Sequence, residues 1–291
     1  ELSPRPGERV FLEAERSREL TLAVNGKAAP ACIQGTVSTP YAFEITDLVR
    51  EGTNSLTLCC DNSYPSWPYE AIVFSSAATD ETQTNWNGVL GYLRLRYEKP
   101  CFISGLWVYP GEETADVLLE LDCAVPYGGS LRISSEALAA PASREVSLPA
   151  GRHEIRFRGL KLTANARRWD EGEGALYALS AAGEGLDERE IRFGVRTFGS
   201  REGRLALNGR AVFLRSEANC CVFPEKGHMP MEKEEWKAVL SVYRSYGVNC
   251  MRFHSHCPPE AAFAAADEMG MLMQPELSHW NPRTAFEDEK S

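Results

Sequence analysis

Polar residues that can bind and orient a polar ligand gather near the C-terminal end of this chain. Arg252, His254 and His256 follow an apolar run at 248–251, and Glu276 ends the next apolar run after a helix-like segment. This order of strand, loop, helix and strand places the four side chains where parallel strands end, which is where ligands bind in α/β folds. The sequence therefore predicts a ligand site at this edge.

The strand period divides these residues into two faces. Residues two apart on a strand share a face, so Arg252 and His254 should lie with Cys250 and opposite Phe253. In the functional interpretation Arg252 orients a catalytic carboxylate, and His254 or His256 donates hydrogen bonds to the ligand. In the alternative interpretation Arg252 binds carbonyl groups inside the fold and the histidines are packed loop residues. We favour function for Arg252 and His254, and His256 stays open between the two.

His254, His256 and Cys257 could also be read as metal ligands. A structural zinc site needs four ligands, and no second ligand pair lies nearby in the sequence. We therefore predict no metal.

The elements that precede this site are predicted to be short β-strands. Between residue 10 and about residue 97, apolar and polar residues alternate in short runs at 20–24, 55–59 and 90–95. Turn residues such as Asn25-Gly26 separate these runs. Period-two alternation with frequent turns is typical of an antiparallel β-sandwich.

A second block of predicted strands begins at residue 100. Its apolar runs lie at 106–109, 117–122, 131–133, 153–157 and 176–179. About seven short strands in about 95 residues match an immunoglobulin-like sandwich. Residues 137–149 are predicted to form a loop.

The pattern changes after residue 192, where a hairpin at 204–214 precedes alternating helices and strands. Residues 231–246 predict an amphipathic helix that ends at Gly247. Its apolar positions, at three- and four-residue spacing, are Trp236, Val239, Leu240, Tyr243 and Tyr246. A strand at 248–253, a helix that starts at Pro258-Pro259 and a third strand after Gly270 predict a parallel sheet. Three parallel strands leave an open edge, so we expect the chain to be cut short.

The composition excludes several classes of protein. With 43% hydrophobic and 25% charged residues the chain is of average globular type, and its net charge of −10 disfavours a nucleic-acid partner. No run approaches the ~18 apolar residues that span a bilayer. Nine cysteines without a C-x-x-C pair favour reduced thiols and a cytoplasmic location. An export signal that was removed or lies upstream is the alternative, because the first residue is not Met.

Several segments resemble glycoside hydrolase family 2, the β-galactosidase, β-glucuronidase and β-mannosidase group. In the first block they are VNG at 24–26, FEITDLV at 43–49, GTNSL at 52–56, DN at 61–62 and TNWNGVLG at 84–91. Later segments are FGVRTF at 193–198, similar to F-G-x-R-x-F, and LNGRAVFLR at 207–215, similar to L-N-G-K-P-x-x-L-R-G. YGVNCMR at 246–252 and ADEMG at 266–270 complete a resemblance to nearly the whole chain.

This resemblance implies a multidomain fold with three parts. They are a jelly-roll β-sandwich at 1–98 without its first strands, an immunoglobulin-like β-sandwich at 99–195, and the first part of a truncated (β/α)8 TIM barrel at 196–291. Two departures prevent us from naming the sugar. Ser216 replaces the usual glycine, and RFHSHCPPE at 252–260 differs from R-x-S-H-Y-P. The oligomeric state is left open.

The resemblance further implies a retaining β-glycosidase that removes terminal β-linked sugars from oligosaccharides or glycans and needs no cofactor. Such enzymes use two carboxyl groups ~5–5.5 Å apart. The family places the acid/base glutamate after an asparagine at barrel strand four and the nucleophile at strand seven. No Asn-Glu pair occurs in this sequence, so we assign no catalytic residue and expect this chain alone to be inactive. The substrate-binding candidates are Arg252, His254, His256, Glu276 and Trp280, with Glu276 in a supporting role.

The alternative function is a non-catalytic carbohydrate-binding or adhesion module, made of two β-sandwiches with an unstructured α/β tail. The predicted pair of amphipathic helices argues against it, because a binder made only of sandwiches has no use for them. The first sandwich is expected to be structural, with Trp86 as a packing residue.

Overall fold

The computed structural model describes residues 1–30, 32, 39–63, 65 and 86–277. The chain divides into two compact units. Unit 1 contains Glu1–Tyr97, Arg215–Ala266 and Leu272–Ser291, and unit 2 contains Glu98–Leu214 and Asp267–Met271. Within the described ranges, no helix is long and apolar enough to cross a membrane. The domain boundaries at 98 and 195 stay predictions.

Within the described residues, unit 1 begins with a β-sandwich of two three-stranded sheets, ordered β4-β1-β6 and β3-β2-β5. The strands are β1 Arg9–Ala14, β2 Glu19–Val24, β3 Lys27–Ala28, β4 Tyr41–Glu44, β5 Leu56–Asp61 and β6 Leu93–Glu98, with a 3-10 helix at Thr46–Leu48. β1 pairs antiparallel with β4, and β2 pairs antiparallel with β3 and β5. Val10, Leu12 and Ala14 of β1 and Leu20, Leu22 and Val24 of β2 are buried in one cluster, so the period-two pattern of the sequence corresponds to the core-facing side of each strand.

The turn between β2 and β3 is formed by Asn25 and Gly26. Both residues have positive φ, 51° and 78°. Two such residues in a row are what a tight two-residue hairpin turn requires, and Asn-Gly tolerates this conformation best.

Unit 2 contains a seven-stranded sandwich of a four-stranded sheet, β10-β9-β12-β13, and a three-stranded sheet, β11-β8-β7. The strands are β7 Cys101–Pro110, β8 Thr114–Cys123, β9 Tyr127–Ser134, β10 Ala142–Leu148, β11 Gly151–Lys161, β12 Tyr177–Gly183 and β13 Arg189–Phe193. Core residues from the two sheets, such as Leu119, Leu131 and Leu179, are fully buried in one cluster. The predicted second sandwich is confirmed.

The prediction of a loop at 137–149 is wrong. β10 occupies most of that segment and pairs along its whole length with β9. It is an edge strand whose exposed residues are polar, while Val146 and Leu148 pack against the core. An edge strand buries only a few apolar side chains, so its alternation is weak in the sequence.

A small antiparallel sheet, ordered β14-β15-β16, follows the sandwich in unit 2. Its strands are β14 Phe198–Arg201, β15 Arg204–Leu207 and β16 Arg210–Ala211. Asn208 and Gly209 turn the chain between β15 and β16 with φ values of 52° and 75°. The hairpin predicted at 204–214 is confirmed.

The last part of the described chain is a three-stranded parallel sheet, ordered β17-β18-β19, with two helices. The elements are β17 Ser216–Asn219, α1 Lys233–Ser245, β18 Cys250–Phe253, α2 Glu260–Met269 and β19 Leu272–Pro275. The predicted alternation of helices with parallel strands is confirmed.

Helix α1 covers the sheet with the face that carries Trp236 and Leu240, both fully buried. Acidic residues in its first turn complement the positive end of the helix dipole. Gly247 ends the helix region with φ 79°. The assignment of Tyr246 to the apolar face is wrong, because Tyr246 lies after the last helical residue and is 84% exposed.

Candidate functional site

The three parallel strands place their C-terminal residues along one edge. Ala218, Arg252 and Gln274 lie side by side in register across β17, β18 and β19. The following residues are therefore at the same end of the sheet. The predicted side chains from different parts of the sequence meet here because parallel strands all point the same way.

Arg252, His254 and Glu276 form a strand-end cluster. Arg252 Nε donates to Glu276 Oε1 at 2.5 Å, and Arg252 Nη2 lies 3.3 Å from His254 Nδ1. His254 Nδ1 also lies 3.5 Å from Glu276 Oε2. The three side chains are 39%, 37% and 24% exposed, so each is fixed by its neighbours and still open to solvent. A cationic guanidinium, an imidazole and a carboxylate can together bind hydroxyl or carboxylate groups of a ligand.

The loop between β18 and α2 completes the hydrogen bonding of the Glu276 carboxylate. Ser255 N–H donates to Glu276 Oε2 at 2.9 Å. In return Glu276 N–H donates to His256 O at 3.2 Å. Ser255 is buried and has a φ of 52°, a conformation that is uncommon for a residue other than glycine. The loop therefore holds an unusual backbone shape that presents its amide to the carboxylate.

The pKa of Glu276 lies below its usual value. The hydrogen bond from Ser255 N–H is the largest favourable cause, and the hydrogen bond and charge of Arg252 add to it. Each of these contacts stabilises the ionised carboxylate. Glu276 is thus an anchor for Arg252 and for the loop, and it is poorly suited to donate a proton as a general acid.

His256 occupies a different position from His254. It is 2% exposed, and its ring stands edge-on to Phe253 at 5.4 Å. Its Nδ1 lies 3.0 Å from His254 O. Burial lowers the pKa of His256 to about 4, so the ring is neutral near pH 7. This placement corresponds to the packed-loop interpretation of the sequence, and substrate contact by any of the candidates stays a prediction.

Replacing Glu276 with glutamine is expected to lower the free energy of unfolding by about 1 kcal/mol, because it removes the charge from one partly exposed pair with Arg252. The lowered pKa makes this contribution largest above the usual carboxyl pKa of 4.5, and it should be lost as the pH falls below that value. Urea unfolding at several pH values measures both effects. Glu154→Gln, on an exposed pair with Arg156 in β11, is the matched control and should change little. Equal losses in both variants would contradict the anchoring role of Glu276.

Two residues of this region were not identified from the sequence. Asn219, at the end of β17, is buried; it accepts His254 N–H at 3.0 Å with its carbonyl and Cys221 N–H at 2.9 Å with its side chain. Asparagine is uncommon within strands, so Asn219 could have marked a strand end. Arg16 lies in the sandwich of unit 1, and its guanidinium donates to Cys257 O at 2.7 Å. No sequence pattern indicates a buried arginine so far from the site along the chain.

The remaining predictions about ligands concern Trp280 and metals. Trp280 lies outside the described residues. Within the described part of the chain, no group of three or more His, Cys, Asp or Glu side chains is arranged to hold a metal ion.

Comparisons with known proteins test the resemblance to glycoside hydrolase family 2. No protein-family profile matches the chain. It is 25% identical over 273 residues to a curated protein of Formosa agariphila that is named as a β-glucuronidase, a match that covers 87% of this chain and 31% of that protein. Among solved structures, a GH2 β-galacturonidase from Eisenbergiella tayi bound to galacturonate superposes with a TM-score of 0.75 at 17% identity, over 94% of this chain and 48% of that chain. A β-glucuronidase from Parabacteroides merdae gives a TM-score of 0.74 at 18% identity, over 96% of this chain and 38% of that chain.

The resemblance to glycoside hydrolase family 2 is confirmed. The sandwich folds and the relatives that carry glycosidase names agree with it. The chain spans less than half of the length of each of these three proteins.

Proposed function

We propose that this chain is the N-terminal part of a retaining β-glycosidase of the family 2 type, which removes a terminal β-linked sugar from an oligosaccharide or glycan. The observation that carries the proposal is the strand-end cluster. Its arginine, histidine and glutamate lie at the C-terminal edge of three parallel strands, and this sheet follows two β-sandwiches in the chain. Ligands bind at this edge in (β/α)8 barrels, so we propose that residues 196–291 begin such a barrel.

The cluster is proposed to bind the sugar and to leave bond cleavage to carboxylates elsewhere. Glu276 is ionised and already binds Arg252 and Ser255, so its proton-transfer capacity is low. Retaining cleavage needs a pair of carboxyl groups ~5–5.5 Å apart. Within the described residues, Glu276 is paired with a guanidinium and an imidazole instead of a second carboxyl group. We propose that the acid/base and the nucleophile belong to barrel strands beyond this sequence.

The packing of α1 against β18 argues against the alternative, a binding module with an unstructured α/β tail. Trp236 of α1 packs edge-on to Phe253 of β18 at 5.9 Å and is fully buried. A tail with such a core contributes to the stability of unit 1. The alternative expects residues 205–291 to be removable without loss of glycan binding.

The proposal predicts no detectable hydrolysis of nitrophenyl β-glycosides by the 291-residue chain, and hydrolysis by the complete product of the gene that encodes it. A panel of β-glucuronide, β-galacturonide, β-galactoside and β-mannoside substrates measures both by absorbance. In the complete product, Arg252→Met should reduce kcat/KM by about 100-fold, the order of about 3 kcal/mol expected for a charge-assisted contact to a ligand. Arg244→Met, on the exposed face of α1, is the control and should leave kcat/KM unchanged. Turnover by the 291-residue chain itself would refute the proposal.

A further inference from the structure

A buried polar segment of the first sandwich in unit 1 meets the loop that carries the strand-end cluster. Glu15, Arg16, Ser17 and Arg18 follow β1, and all four are buried, with Arg16 and Arg18 only 2% exposed. Removing an arginine from water is unfavourable unless its charge and its N–H groups are satisfied. We therefore expect a buried arginine to make specific contacts that satisfy its charge and its N–H groups.

Arg16 contacts residues that lie before and after β18 in the sequence, Met229 and Cys257. Its Nη1 donates to Cys257 O at 2.7 Å and lies 3.4 Å from Met229 Sδ. The neighbouring carboxylate of Glu15 supplies the opposite charge. Arg16 itself has a φ of 68°, so its backbone adopts a left-handed conformation that a bulky residue rarely takes. Arg16 therefore combines an uncommon backbone conformation with a guanidinium that lies against the loop at Cys257.

Burial lowers the pKa of Arg16 below its usual value, and the charge of Glu15 opposes this shift. Cys221 and Cys257 both lie close enough to interact with it electrostatically. Burial raises the pKa of Cys221 to about 11 and also raises the pKa of Cys257, so both are neutral thiols near pH 7. The carbonyl oxygen of Cys257 is then the acceptor that the guanidinium orders by a charge-assisted hydrogen bond.

The loop held by Arg16 is the one that completes the cluster. His254 N–H donates to Asn219 O at 3.0 Å at its start, and Arg16 binds the carbonyl of Cys257 at its end. Between these two attachments lie Ser255, whose amide donates to Glu276, and His256, whose carbonyl accepts Glu276 N–H. A displacement of the loop end would move both of these groups away from Glu276.

We propose that Arg16 is a positioning residue for the strand-end cluster, because its guanidinium fixes the Cys257 end of the loop and keeps the Ser255 amide on the Glu276 carboxylate. The first sandwich thereby takes part in shaping the site. Any consequence for catalysis rests on the proposed function, whereas the positioning itself is a property of this chain and can be measured without turnover.

The test compares Arg16→Met with a matched control, Arg18→Met. Both arginines are equally buried and two residues apart, but Arg18 lies over the Trp86 ring at 5.6 Å. Arg16→Lys, which keeps a charged donor, is the conservative variant. The readout is the amide signal of Ser255 in ¹H–¹⁵N NMR spectra of the 291-residue chain, together with its hydrogen-exchange rate.

Arg16→Met is expected to shift the Ser255 amide signal and to raise its exchange rate by about tenfold, whereas Arg16→Lys recovers part of the protection. Arg18→Met should leave the Ser255 signal in place, even if it lowers thermal stability as much. An unchanged Ser255 amide in folded Arg16→Met would overturn the proposal, and so would an equal change in Arg18→Met. If Arg16→Met fails to fold, Arg16→Gln, which also removes the charge, takes its place, and an unchanged Ser255 amide in folded Arg16→Gln overturns the proposal.

The same variants separate this proposal from the proposed function. If the complete gene product hydrolyses a β-glycoside, Arg16→Lys should lower kcat with little change in KM, because a displaced cluster still binds but orients poorly. If the product is inactive, the Ser255 result still decides whether Arg16 positions the loop.

Discussion

Replacing Trp236 with alanine is expected to destabilise the α/β part of unit 1 by about 4 kcal/mol, the range measured for removal of a large buried aromatic side chain. Trp236 is fully buried, contacts the rings of Phe223 and Phe253 edge-on, and donates from Nε1 to Pro230 O at 2.7 Å. The variant loses these ring contacts and leaves a buried carbonyl without its donor. Because Phe253 precedes His254 directly, the strand-end cluster should become disordered as well.

Hydrogen-exchange mass spectrometry of peptides from α1 and β18 measures this effect against the second sandwich. Exchange should rise across α1 and β18 and stay unchanged in β8 and β9 of unit 2. Val242→Ala is the control in α1, because Val242 is 59% exposed and little is lost when it is shortened. If Trp236→Ala left the exchange of β18 unchanged, the helix would not be part of a packed core and the binding-module alternative would gain support.

The second large effect is a loss of stability on acidification that depends on His256. Burial lowers the pKa of His256 from 6.5 to about 4. The charges that face the ring are those of Arg16, His254 and Glu276, of which the first two also lower the pKa and Glu276 raises it. The folded protein therefore resists protonation of this ring, while the unfolded chain accepts the proton at its usual pKa.

Because the unfolded chain binds this proton more readily than the folded protein, acidification favours unfolding. The free energy of unfolding is highest above pH 6.5 and decreases as the pH falls toward 4, by about 3 kcal/mol in total. Urea unfolding of unit 1 between pH 7 and pH 4 should show this loss in the wild type and a flatter dependence in His256→Gln. His153→Gln, in the second sandwich, should retain the full dependence. An NMR titration in which His256 gains its proton near pH 6.5 would contradict the prediction.

Much of the fold could be predicted because its signals are local. Alternation along β1, β2 and the strands of the second sandwich, turn pairs such as Asn208-Gly209, and the three- and four-residue spacing in α1 each depend on neighbours in sequence. The errors have equally local causes. β10 is not predicted because an edge strand with one polar face gives a weak pattern. Tyr246 is wrongly assigned to α1 because the apolar spacing continues to residue 246, whereas the helix ends at Ser245.

The candidate site was predictable in part for the same reason. Arg252, His254 and Glu276 end two successive predicted strands, and the parallel rule places strand ends together. Their mutual distances were not predictable, because the Arg252–Glu276 contact depends on the register of β18 against β19. The different environments of His254 and His256 could not be predicted from the sequence either. Ser255, which lies between them, has a left-handed backbone, and with this backbone the His254 ring lies at the surface and the His256 ring in the core.

The sequence by itself determined the kinds of element, their order and the presence of polar groups at two strand ends, because these follow from the periodicity of side chains and from turn chemistry. Only the tertiary structure decided that Glu276 would be an ionised anchor, that His256 would be buried, and that Arg16 would lie against the loop at Cys257. The physical reason is that burial, charge pairing and backbone strain depend on contacts between residues that are distant in sequence, up to 241 positions apart for Arg16 and Cys257.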